Sequence, residues 1–241
     1  DALFGNTTGS NNTAVGAFAC KGTGLSTTTN NNTCIGYNTA IVINGGIENT
    51  LVGSNTGTAI TTGDQNTFIG VQAGGAITTG SGNTAVGYLA GKGGTAGASL
   101  FTAIGYQALT AQTSAAENTA IGYGSGGALT TGAYNTFVGL SSGGIITTGS
   151  SNVFIGDGAD AIAGGVARSE SIAIGILAKT TADNQMVVGA NTYEITDVYI
   201  GEGVTNATPL EVTINPTGGS GTDIAGAGLV IAGGKGTGTG N

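Results

Sequence analysis

The sequence predicts an all-β fold, a parallel β-solenoid (β-roll) wound in coils of about 17 residues. Three observations lead there. A five-residue string, Asn-Thr-x-(Val/Ile)-Gly, recurs down the chain, as in Asn66 to Gly70 and Asn83 to Gly87. Its glycines fall at Gly16, Gly36, Gly53, Gly70, Gly87, Gly105, Gly122, Gly139 and Gly156, with spacings of 20, 17, 17, 17, 18, 17, 17 and 17. No stretch carries the i, i+3, i+4, i+7 apolar spacing of a helix, and 49 of the 241 residues are Gly, a poor helix former. A fixed period of this length identifies a stack in which each coil contacts its neighbours.

Each part of the coil follows from one column of the repeat. Asn-Thr-x-Ile is rich in β-branched residues and reads as a short strand. The Gly that closes it supplies a corner, where positive φ is free of steric cost. Three residues later the position is always small: Ala19, Thr39, Thr56, Ala73, Ala90, Ala108, Ser125, Ser142 and Ala159. Seven residues after the Gly a second apolar column holds Ile43, Ile60, Ile77, Leu129 and Ile146, interrupted at Thr23, Gly94 and Gln112. With the Thr-Thr that often follows, it reads as a second strand, closed by a second glycine column at Gly46, Gly63, Gly80, Gly97, Gly132 and Gly149. Stacking at about 4.8 Å superimposes like on like. Asn12, Asn32, Asn49, Asn66, Asn83, Asn118, Asn135 and Asn152 then form one ladder of hydrogen-bonded amides.

The array divides the chain. Residues 1–156 hold the regular coils, and 157–201 hold degenerate copies at Gly175, Gly189 and Gly201, spaced 19, 14 and 12. Residues 202–241 read as a terminal β segment leading into a further, distal part. The Val/Ile before each corner glycine, from Val15 to Ile155, is expected in the interior. The x residue beside it points the other way. It is apolar in every copy: Ala14, Cys34, Leu51, Phe68, Ala85, Ala103, Ala120, Phe137 and Phe154. Strands apolar on both faces are buried on both faces, so the second face calls for a partner, and another copy of the chain supplies one.

Composition excludes several classes. Apolar residues make up 39% against 7% charged, the reverse of a disordered chain. Two prolines exclude collagen, and no apolar run is long enough to insert in a membrane as a helix. The net charge is −8, and Lys21, Lys92, Arg168, Lys179 and Lys235 are too scattered for nucleic acid. With no His, zinc ligation by Cys20 and Cys34 is not supported, and they read as two small buried thiols rather than a disulfide.

Asn83-Thr84-Ala85-Val86-Gly87-Tyr88-Leu89-Ala90-Gly91 and Asn118 to Tyr123 resemble the head repeats of trimeric autotransporter adhesins and the similar repeats of bacteriophage tail fibres. The resemblance covers residues 11–201. It implies an intertwined homotrimer of left-handed β-rolls, a fibre exposed on a virion surface or otherwise extracellular. The segment Ala76 to Gly80 is closer to the phage-fibre versions, and the end, Pro209 to Pro216 and then Leu229 to Gly240, looks like the stretch before a distal domain in phage fibres.

No catalytic, cofactor-binding or metal-binding residue is assigned. Glu48, Asp64 and Glu117 lie alone on separate coils, where hydrolysis needs a carboxylate pair. Asp157-Gly158-Ala159-Asp160 lacks the alternating acids of a calcium loop, and Gly91-Lys92-Gly93-Gly94 opens no phosphate-binding helix. Tyr37, Tyr88, Tyr106 and Tyr123 share the position after the glycine, as corner packing or as a strip on which a carbohydrate could stack. Adjacent threonines point to opposite faces and so make a poor ice-binding array. The expectation is a non-enzymatic fibre shaft that presents a distal region to a host surface receptor, such as a glycan. Recognition is expected outside the regular repeats or in the irregular loops near Lys21–Asn31 and Gly91–Ser99. The alternative is a bacterial surface adhesin or a self-assembling extracellular filament.

Overall fold

A computed structural model describes residues 1–22, 29–93, 97–162, 164 and 166–190. They belong to the first of two compact units, Asp1–Ile195; the second, Thr196–Asn241, lies outside the described residues, as do the third degenerate copy at Gly201 and the terminal β segment.

The described chain is a parallel β-solenoid. Strands β1 (Thr13–Val15), β2 (Thr33–Ile35), β3 (Thr50–Val52), β4 (Thr67–Ile69), β5 (Thr84–Val86), β6 (Thr102–Ile104), β7 (Thr119–Ile121), β8 (Thr136–Val138) and β9 (Val153–Ile155) lie one above another. The short strand β10 (Asp160–Ala161) follows, and β11 (Ile172–Ile174) and β13 (Met186–Val188) extend the same sheet to eleven strands. Strand β12 (Lys179–Thr180) pairs with β10. The register joins equivalent residues, Phe68 to Ala85 and Ile69 to Val86 for example, so the degenerate copies at Gly175 and Gly189 are genuine rungs.

Two expectations about the coil are corrected. The Ile-Thr-Thr side is not a second strand in the regular coils. It carries isolated ladder bonds, such as Thr61 N–H to Thr78 C=O at 2.8 Å and Thr130 N–H to Thr147 C=O at 2.7 Å, between bends. The two faces of the strand are also exchanged. The x column from Cys34 to Phe154 is fully buried, whereas Val15 is 57% and Ile121 39% exposed.

The physical reason is packing within and between coils, where glycines such as Gly91 and Gly126 also make room for Phe101 and for Leu109 and Phe137 of the adjoining coils. The interior x side chain faces the position four residues past the corner glycine. Leu51, Phe68 and Phe137 meet glycine there: a Cβ on Gly74 would strike the Phe68 ring, one on Gly143 the Phe137 ring and one on Gly57 the Leu51 side chain. Small Ala103 is paired in its coil with buried Leu109. Ile43, Ile60, Ile77, Leu129 and Ile146, with the small column from Ala19 to Ala178, complete the core.

The asparagine ladder is present and does more than stack. Asn49 Oδ1 accepts both the main-chain N–H and the side-chain amide of Asn66, each at 3.0 Å. Its own Nδ2 donates to Asn32 Oδ1 at 3.0 Å and to Gly63 C=O at 2.9 Å, which ties the start of the coil to its end. All four hydrogen-bonding positions of a fully buried amide are thus filled. Phe101 replaces Asn in the 18-residue coil, and its N–H still donates to Asn83 Oδ1 at 3.1 Å.

The glycine columns have different causes. Gly122, at φ 138°, takes a left-handed corner, and a Cβ there would run into the carbonyl of Gly139. Gly63 needs no positive φ; a Cβ would instead collide with the carbonyl of Gly80 one coil on. A further left-handed corner, before each ladder Asn or its replacement Phe101, is held mostly by other residues, among them Gln65, Leu100, Glu117 and Tyr134 at φ 57–61°.

Cys20 and Cys34 form a disulfide, with Cα atoms 5.7 Å apart, in place of the two thiols expected. Cys34 occupies the interior x column and Cys20 the facing position of the preceding coil, so register brings them together where sequence spacing did not suggest it.

Candidate functional site

The exchange of faces turns the Val/Ile column outward. Val15, Ile35, Ile69, Ile104, Ile121, Ile155 and Val188 are exposed and Val52, Val86, Val138 and Ile174 half-buried, one per rung of the eleven-stranded sheet. Beyond the corner glycine the next column adds exposed Tyr37, Val71, Tyr88, Tyr106, Tyr123, Leu140 and Ile176. These two columns make a straight apolar stripe with no charged side chain until Asp157.

Within the stripe, Tyr88, Tyr106 and Tyr123 stack face to face, with centroids 5.1 and 4.8 Å apart and interplanar angles of 19° and 6°. Tyr37 packs edge-on against Phe18 at 6.1 Å. The stacked rings cover one another's faces and turn their edges and hydroxyls outward. A sugar has little ring face to lie on, so the arrangement favours packing over the carbohydrate strip.

The carboxylates stay apart. Glu48 and Glu117 are exposed corner residues, and Glu48 accepts from the Gln65 amide at 3.0 Å. Asp64 belongs to a column that sequence reasoning did not single out. There a side-chain oxygen on one coil accepts the corner N–H of the coil before: Ile47 N–H to Asp64 at 2.8 Å, Asp64 N–H to Ser81 at 3.0 Å and Ser81 N–H to Ser99 at 3.1 Å. The pattern returns in Ala133 to Ser150, Ser150 to Ser169 and Ser169 to Asp183. Ser or Asp six residues before Gly70, Gly87, Gly105, Gly156, Gly175 and Gly189 is its sequence signal.

Asp157 and Asp160 do not converge as a pair of ligands. Asp157 is exposed, while Asp160 is buried and accepts the N–H of Ala161 at 2.8 Å and of Ile145 at 3.0 Å. Burial holds the Asp160 carboxyl above the ordinary carboxylate range, opposed by those N–H groups and by the Lys179 charge. Lys179 itself donates to Gly158 C=O at 2.6 Å.

In the Thr-Thr pairs the first hydroxyl is spent on the next coil, Thr61 to Thr78 C=O at 3.0 Å and Thr130 to Thr147 C=O at 2.8 Å. Only Thr62, Thr79, Thr131 and Thr148 remain exposed, a single line rather than a flat array.

The two irregular loops are described in part, residues 23–28 and 94–96 lying outside the described residues. Beside the first, Lys21 Nζ sits 5.0 Å from the Phe18 ring centroid and 5.9 Å from that of Phe4, a cation held on two aromatic faces. Beside the second, Lys92 borders a groove of about 290 Å³ lined by Asn55, Thr58, Gln72, Gly75 and Ala76.

No protein-family model matches the chain, and no curated protein matches it. Among solved structures, the collagen-binding domain of the Yersinia adhesin YadA is similar at a TM-score of 0.33 and 14% identity, over 78% of this chain and 73% of that one. An overlap at that score says nothing about function.

Proposed function

We propose that this chain is the shaft of a homotrimeric extracellular attachment fibre, a non-catalytic spacer that holds a recognition region away from the surface bearing it. The observation that carries the reading is the outward Val/Ile column. The coil already has a complete interior in the x column, so the exposed stripe is surplus to the fold of one chain and long enough to make a lone chain aggregate. Two further copies, each offering the same stripe, cover it about a threefold axis, with like residues at equal height. The repeated positions are otherwise accounted for by turning, stacking and packing.

The fibre has two settings, the tail of a bacteriophage and the surface of a bacterium. The Cys20–Cys34 disulfide suits either, a virion fibre or a secreted adhesin or filament, because such bonds persist on virion and cell surfaces and are rare in a reducing cytoplasm.

A pair of substitutions tests the assembly. Ile121→Asp places a charge on the stripe and is expected to give a folded monomer, read as β-rich circular dichroism with one-third of the mass by light scattering. Phe137→Asp places it in the coil interior and is expected to unfold the chain. A monomeric unmodified protein, or an Ile121→Asp variant that remains trimeric, would refute the proposal.

A further inference from the structure

From the groove beside the second irregular loop we infer a binding site for an oligosaccharide of carboxylated sugars, lying along the stack with its carboxylate on Lys92. The inference rests on the attachment-fibre reading and gives it a ligand class. Three successive coils build the site. Asn55 and Thr58 come from the coil of β3, Gln72, Gly75 and Ala76 from that of β4, and Lys92 from that of β5.

What sets the groove apart is its unused hydrogen-bonding capacity. The Gln72 side-chain amide is half-buried and bonds to no described residue; only its main chain is engaged, with Ser54 C=O at 3.0 Å. The Lys92 ammonium is exposed, and Arg168 with Asp183 is the only ion pair among the described residues. Asn55, half-buried, accepts from Asn38 at 3.2 Å and donates to Ser54 Oγ at 3.1 Å, which fixes its amide plane and leaves further capacity on both ends. Thr58 donates to Gly75 C=O at 3.0 Å, so its oxygen is oriented to accept.

One cation among neutral amides and a hydroxyl suits a ligand with one negative charge and many hydroxyls. A phosphate chain or a densely sulfated polymer would need clustered bases. The spacing agrees as well. The binding groups repeat with the coils at about 4.8 Å, close to the advance of a linear pyranose chain per residue, so successive sugars meet successive coils. The chain as a whole carries −8, so diffuse attraction of polyanions does not supply the binding.

The probe is hexagalacturonic acid, titrated calorimetrically into the assembled protein, with its methyl ester as the uncharged control. Binding of the acid is expected, with about tenfold weakening by Lys92→Gln and again by Gln72→Ala, in line with loss of one charged and one neutral hydrogen bond. The methyl ester should bind no better than the Lys92→Gln variant binds the acid, and Lys21→Gln should have no effect. Absence of binding to the acid, equal binding of acid and ester, or an equal loss with Lys21→Gln would each overturn the site. Light scattering on the same samples reports the trimer separately, so a failure of the site and a failure of the fibre reading are told apart.

Discussion

At the residue scale the asparagine column is the most demanding chemistry in the molecule. A primary amide is the right group because it has two donors and two acceptor sites on one short, planar side chain. At Asn66 all four are used, toward Asn49, Gly80 and both the main chain and side chain of Asn83. Asn66→Ala leaves the Gly80 carbonyl and the Asn83 N–H buried without partners, and the expected cost is about 2–4 kcal/mol. Thr79→Ala, on the exposed line of threonines, should change stability by no more than about 0.5 kcal/mol. Chemical denaturation of the two variants beside the parent measures both. An Asn66→Ala loss no larger than that of Thr79→Ala would mean the ladder is incidental to folding.

At the element scale the notable place is the coil after β9, where the 17-residue period breaks. Asp160 stands where other coils have Gly143 or Gly126, and its carboxylate takes the N–H of Ile145 from the coil before. Its pKa in the folded chain is raised by burial, so folding favours the protonated acid. The sign follows. The stability contributed by this group is full below its unfolded value of about 3.9 and is lost as pH rises through the higher folded value. Asp160→Asn cannot titrate, so the parent-minus-variant difference in melting temperature should fall with rising pH across that window. A difference independent of pH would show that the burial does not act on titration. Elements of this kind explain how far sequence alone reaches. The period, the corner glycines, the small column and the asparagine ladder were legible because they repeat. Which strand face points inward was not, because Val/Ile and x are both apolar. The available signal was variability rather than hydrophobicity: x ranges from Ala to Phe, as a core that trades volume between adjoining coils allows, whereas the outward column stays Val or Ile. The disulfide was hidden in the same way, since fourteen residues of sequence say nothing until the register is known. Of the candidate groove, Lys92 was visible beside an irregular loop, but Asn55 and Gln72 join it only through stacking.

At the scale of the whole molecule, the parallel coils of the described residues give a stack in which each strand of the main sheet pairs with the next. That arrangement makes length adjustable by whole repeats, and it lets the Val/Ile column run past eleven strands, one residue per rung. The two faces therefore differ: the inner one is filled by the chain's own core, and the outer one carries the apolar stripe on which the trimer is proposed. The asparagine chain has a mechanical consequence. Strands lie across the stack, so the ladder bonds and the amide chain run along it, and a pull on the ends loads them one layer at a time rather than all together. The outermost coil should peel before its neighbour yields, each releasing 17 residues, about 55–60 Å of extended chain. Stretching one chain in an optical trap should give a staircase with that step, and adding a reductant should lengthen the total by the span locked between Cys20 and Cys34, about 40–45 Å beyond the 5.7 Å that the disulfide already bridges. One cooperative rupture would contradict the layered picture. A stack that lengthens by steps dissipates a sudden load and keeps its remaining coils intact, a property that would suit the proposed attachment fibre under flow.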